Sequence, residues 1–112
     1  MTEEALNPLD RASRFEWDEG NAPKVASRHR VEPGECEQVF FNEPFLVAAD
    51  LKHSAREARW RALGVTTGGR LLHIVFTIRA DAIRVIHARA MNRKERIEYA
   101  NAKARLEADP HV

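Results

Sequence analysis

Residues 69–90 read GRLLHIVFTIRADAIRVIHARA, and the reading of the fold starts from them. Leu71 to Ile78 is apolar except for His73 and Thr77, the composition of a central strand buried on both faces. The two exceptions share a parity and therefore a face. An imidazole inside such a run reads as a core histidine with its hydrogen bonds satisfied. Ala80-Asp81 is a tight connection. After it Ala82 to Ala90 alternates, with Ile83, Val85 and His87 on one parity and Arg84, Ile86, Ala88 and Ala90 on the other.

Upstream, Arg59, Arg61 and Leu63 alternate with Trp60, Ala62 and Gly64, which predicts a strand with one basic face. Thr66 to Gly69 is the turn that joins it to the central strand. Phe45 to Ala49 reads as a further strand, and polar Asp50 to Ala55 as a loop suited to chemistry. Before these, Asn21 and Pro23 open a helix running to about Arg28 or Arg30. Pro33 opens a second helix with Cys36, Val39 and Phe40 facing inward, closed by Pro44. Ser13 to Asp18 alternates around Phe15 and Trp17 as a short first strand. Downstream, Asn92 and Glu95 have capping-box spacing for a last helix, whose stripe of Ile97, Ala100, Ala104 and Leu106 is thin. The order β-α-α-β-β-β-β-α predicts an α+β domain with an antiparallel meander.

The 112 residues make one domain, expected over residues 13–108 behind a loose tail at 1–12. One cysteine, Cys36, excludes an internal disulfide and a cysteine-based zinc cage. No apolar run approaches a membrane span, and the first residues lack the order of a secretory signal, so a cytoplasmic location is expected. The net charge of +1 hides an asymmetry. Residues 1–51 hold five basic and eleven acidic side chains, a net of −6, whereas residues 52–96 hold eleven basic and three acidic, a net of +8. Such a split suggests a surface facing a polyanion, unless the charges interleave in space and cancel.

Eight collinear segments carry a family likeness: FEWD at 15–18, RHRV at 28–31, VFFNEP at 39–44, DLKHS at 50–54, RWRALG at 59–64, GRLLHIVFTIR at 69–79, IRVIHAR at 83–89 and NRKERIEY at 92–99. Over about residues 14–100 the chain resembles the BrnT toxin family. The resemblance implies a fold like that of RelE-type ribonuclease toxins and RNA cleavage that arrests translation and growth. It also implies a ribbon-helix-helix antitoxin of the BrnA kind, through which operator DNA would be bound indirectly. Three positions depart from the family pattern. Arg30 stands where a glycine is usual, Val25 where an asparagine is, and His87 where a serine is.

RNA can be cut without a metal if its own 2′-OH attacks the adjacent phosphate, because the nucleophile is already held close. The protein then moves two protons, a task for histidine, and stabilises a phosphorane, a task for arginine. On this chemistry the catalytic set is His53, Arg79 and Arg89, with His87 and Glu95 beside them. His53 is the leading acid/base, and the two arginines bind the transition state. Arg59, Arg70, Thr77, Arg84, His29 and Tyr99 are the expected RNA and phosphate contacts, and Asp50 joins His53 and Arg59 at the loop.

Each has a plainer reading. His53 can be a turn residue, His29 a helix-end cation, Glu95 a helix cap, and Trp17 and Trp60 core aromatics. Arg84 and Arg89 can pair with Asp18, Asp50 or Glu95. Asp50, His53 and His87 lack tight ligand spacing for a metal, and no cofactor is implied. A non-catalytic protein that only binds the antitoxin and acts in operon autoregulation is the alternative function.

Overall fold

The computed structural model describes residues 8–53 and 55–108. Its strands are β1 (Arg14–Phe15), β2 (Leu46–Ala49), β3 (Trp60–Val65), β4 (Leu71–Arg79) and β5 (Ala82–Ala90). Helices α1 (Ala22–His29) and α2 (Pro33–Val39) lie between β1 and β2, and α3 (Arg93–Ala108) follows β5. The five strands form one sheet in the order β1-β5-β4-β3-β2. β2 to β5 are an antiparallel meander, and β1 joins its edge parallel to β5. The fold is α+β, with β4 in the middle of the sheet.

Of the expected tail, residues 1–7 lie outside the described residues. Pro8–Arg11 form a 3-10 turn, and Leu9 and Ala12 pack against the core, so the packed chain begins earlier than residue 13. Asn21 does not cap α1 with its side chain. Its amide bonds the carbonyls of Glu16 and Val85, both at 3.0 Å, which ties the start of α1 to β5. Glu32 and Glu35 form a capping box around Pro33, and Asn92 with Glu95 forms the one expected at α3.

α1 and α2 cover one face of the sheet. There Val25, Val31, Cys36 and Val39 pack on Ala62, Leu72, Ile74, Phe76, Ile83, Val85 and Ala88. Burial pushes the Cys36 thiol up to about 12, so it is an inert core residue. The opposite face is covered only at one end, where Tyr99 and Met91 pack with Leu63. The rest is open, and there the basic residues lie.

Strict alternation along β5 is broken. Val75 pairs with His87 but Phe76 with Val85, so Ile86 has no partner of its own on β4. This bulge lets Ile83, Val85 and Ala88 all enter the core, while His87 and Arg89 turn to the face of Arg84, His73 and Thr77. The expected grouping of His87 with Ile83 and Val85 is corrected by that one extra residue.

Arg30 ends α1 in the left-handed region, at φ 55° and ψ 44°. A glycine would adopt this without a Cβ clash. Arg30→Gly is therefore expected to stabilise the fold by about 0.5–1 kcal/mol, read as a higher midpoint in urea with an unchanged m-value. Gly64 faces α2, and a Cβ there would collide with the Val39 side chain. Gly64→Ala should lose about 1–3 kcal/mol in the same measurement.

Candidate active site

β2 ends at Ala49, and the chain makes a 3-10 turn over Leu51–His53. Asp50 is buried at 8% exposure at the head of this turn. Its backbone N–H donates to the Arg59 carbonyl at 2.8 Å, which fixes the loop to the strand that follows. Its carboxylate faces His53 Nδ1 at 3.2 and 3.3 Å. A carboxylate at Nδ1 orients the ring and leaves Nε2 as the working nitrogen, and the His53 side chain is 59% exposed.

His53, Arg59, Arg61, His73, His87 and Arg89 line one cleft of about 580 Å³, together with Asp50 and Lys52. They come from the loop and from three adjacent strands, carried to one face by the pairings Arg61 with Val75, Leu63 with His73, and His73 with Arg89. Neighbouring strands are about 4.8 Å apart, so guanidinium groups distant in sequence reach a common volume.

The electrostatics of this cleft are set at its floor. Arg89 donates to both oxygens of Glu95 at 2.8 and 2.9 Å. That pairing, helped by the Asn92 N–H and opposed by burial, holds the Glu95 carboxyl down at about 2. His73 is 5% exposed, and neither ring nitrogen has a hydrogen-bond partner. Its nearest carboxylate oxygen, on Glu95, is 3.8 Å away, beyond hydrogen-bond reach. Burial first, then the charge of Arg89, brings His73 down to about 4, so it is neutral at pH 7. The expected satisfied core histidine is thus an unsatisfied one beside the cleft. His87 also sits below the usual imidazole value, through burial and then the neighbouring His29, Arg89 and Arg28. The His29 ring meets it edge-on at 5.1 Å.

Several expected site residues are elsewhere. Arg70 bonds Glu35 at 3.0 Å and the carbonyls of Arg30 and His29 at 2.8 and 3.3 Å, which fastens the α1–α2 junction. Arg84 is held by Asp18 at 2.9 and 3.0 Å and by Glu16 at 3.2 Å. The buried Thr77 hydroxyl donates to the Ala58 carbonyl at 2.7 Å, and the buried Tyr99 hydroxyl to the Pro44 carbonyl at 2.6 Å. Arg79 pairs with Glu57 at 3.1 and 3.3 Å and lines a neighbouring cleft instead. Glu95 both caps α3 and grips Arg89, and His29 contacts His87 from the end of α1.

Of the expected cations, then, Arg59 and Arg89 line the cleft, whereas Arg70, Arg79 and Arg84 do not. Lys52, Arg61 and His73 were missing from the expected set. Arg61 shares its strand parity with Arg59, which was signal enough to include it. Among the described residues no three His, Cys, Asp or Glu side chains are grouped as a metal ion would require.

A family model described as the ribonuclease toxin BrnT of type II toxin–antitoxin systems matches residues 17–95. The chain belongs to the BrnT family. The matched span includes every residue of the cleft. No curated protein matches the chain. BrnT membership makes this a toxin of the ribonuclease class, with RNA as substrate and an antitoxin as partner. Among the described residues no helix is long and apolar enough to cross a membrane.

The buried imidazole has a consequence for stability. His73 titrates near 6.5 when unfolded and at about 4 when folded, so the unfolded chain takes up its proton first as pH falls. Its contribution is fully present above 6.5 and is lost as pH drops from 6.5 toward 4; Glu95 adds a loss between 4.5 and about 2. His73→Leu should flatten the fall in unfolding free energy between pH 7 and pH 4.5, measured by urea denaturation. An unchanged slope would show that the group does not titrate in this way.

Proposed function

We propose that this BrnT protein is a metal-independent endoribonuclease with a RelE-like fold, and that the cleft between the Asp50–His53 loop and strands β3 to β5 is its active site. The observation that carries the reading is the convergence of two partly exposed imidazoles, His53 and His87, with Arg59, Arg61 and Arg89 in one cleft of about 580 Å³. The 2′-oxygen attacks phosphorus as its proton passes to His87, which is neutral at pH 7 and so able to accept it. The P–O5′ bond breaks as His53, oriented by Asp50, passes a ring proton to O5′. Atoms balance with a 2′,3′-cyclic phosphate and a 5′-hydroxyl as the product ends.

Arg59, Arg61 and Arg89 stabilise the dianionic phosphorane. Each preorganised donor of this kind is worth about 3–4 kcal/mol of barrier. Glu95 is a positioning residue for Arg89, since its carboxylate is wholly engaged by the guanidinium and the helix cap. The cognate antitoxin is of the ribbon-helix-helix, BrnA-like kind, with operator DNA contacted through it, and the pair acts in the cytoplasm where RNA is the target. A second reading, a partner protein that only takes part in autoregulation, draws support from Arg70, Arg79, Arg84 and Arg89, all of which are held by carboxylates.

Purified toxin and a mixed-sequence RNA in EDTA separate the two readings. Cleavage should persist and leave cyclic phosphate ends. His53→Ala and Arg61→Ala should each slow it by about 10²-fold or more with an unchanged circular dichroism spectrum. Arg84→Ala, by contrast, should lower stability and leave the rate of the folded fraction intact. Loss of cleavage in EDTA would overturn metal independence. A folded wild-type protein that neither cuts RNA nor slows growth would leave the second reading standing.

A further inference from the structure

A second cleft of about 530 Å³ adjoins the first and shares Lys52, His53 and Arg59 with it. Its own walls add Arg56, Glu57 and Arg79. Among the described residues Arg56 makes no ion pair, and the one acid present is bound to Arg79 through two hydrogen bonds. The Arg79 side chain is 53% exposed all the same, so its guanidinium is reachable. The second cleft is therefore positive and open, and it abuts the site where the backbone is cut.

The geometry has a definite direction. Arg61 and Arg59 stand two residues apart on one parity, about 7 Å along the strand, a length comparable with one nucleotide step of an extended chain. Arg79 continues the same face of β4 beyond Val75, the partner of Arg61, and Thr77. A row of cations thus runs from Arg89 and Arg61 through Arg59 to Arg79 and Arg56.

We propose that the second cleft is a phosphate subsite for the nucleotide next to the scissile bond, so that the substrate is single-stranded RNA held by at least two consecutive phosphates. In the free protein Glu57 occupies Arg79 in place of that phosphate. It therefore sets a threshold for binding at this subsite, where a single-stranded phosphate must compete with a carboxylate already in place. An unpaired strand, unlike an A-form duplex, can splay its nucleotides into a concave site, which favours single-stranded substrate.

This deepens the RNA-cleavage reading and rests on it for the identity of the first cleft. The test uses the full chain and two uncleavable probes, a 2′-O-methyl dinucleotide with one phosphodiester and a 2′-O-methyl hexanucleotide of mixed sequence. Arg56→Ala/Arg79→Ala should weaken hexanucleotide binding about fivefold or more and reduce its salt slope by about 0.7 per lost phosphate contact, with dinucleotide binding unchanged. Glu57→Gln should tighten hexanucleotide binding, a gain that misfolding cannot imitate.

Equal losses for both probes, or no change in either variant, would overturn the subsite. Tight hexanucleotide binding with these effects, but no cutting of the unmodified hexanucleotide, would sink the nuclease reading and leave the subsite intact. If a duplex of the same sequence binds as well as the single strand, the substrate assignment fails.

Discussion

The single unpaired residue at Ile86 governs where the chemistry lies. Without it, the alternation that buries Ile83 and Val85 would also carry His87 toward the helices and put Ala88 on the outside. A one-residue slip moves every following side chain to the opposite face. The bulge adds that slip at one point in the strand. Its first half then contributes Ile83 and Val85 to the core, and its second half contributes Ala88. His87 and Arg89 turn out beside His73 and Arg61. The cleft is in this sense a by-product of register.

Burial is arranged around that open face. Two helices cover one side of the sheet, and the third covers only one end of the other. The uncovered end has charged residues that could not be buried without partners. Where arginines do approach burial they are neutralised: Arg84, 12% exposed in its side chain, lies between Glu16 and Asp18, and Arg89 lies on Glu95. The acidic first half of the chain thus cancels part of the basic second half at Arg84 and Arg70. What stays uncancelled is concentrated around Arg56, Arg61 and Lys52, close to the loop that presents His53. A short, rigid turn locked by Asp50 is a better mount for an acid/base than a flexible one, because orientation need not be recovered at each turnover.

The floor of the cleft combines opposites. Glu95 is a strongly stabilised anion, Arg89 its cation, and His73 a neutral ring left without partners next to both. Buried polar groups without hydrogen bonds are rare and destabilising, and tend to cluster where function constrains the fold. Arg89 is held by helix capping chemistry as much as by charge, since the same carboxylate closes the first turn of α3. The expected stripe of Ile97, Ala100, Ala104 and Leu106 is exposed, and α3 instead buries Glu95, Tyr99 and Ala102. The helix is fastened by the Glu95–Arg89 pair at one end and by the Tyr99 hydroxyl on the Pro44 carbonyl further along, contacts that the apolar pattern alone does not reveal.

Local order was written into the sequence. The hairpin over 71–90, the Asn92–Glu95 cap, the helix opened by Pro33 and the Asp50–His53 turn all follow from neighbouring residues, because propensity, capping and alternation act over a few positions. The family likeness, spread over eight segments, was legible for the same reason. Tertiary structure alone decided the rest. Asp18 and Arg84 lie 66 residues apart, and nothing local tells an arginine which carboxylate will reach it. The bulge depends on how two strands and the helices beneath them pack together, so it turns His87 and Arg89 outward against the simple alternation of their own strand. His73 was legible as buried but not as unsatisfied, since that depends on what its neighbours fail to offer.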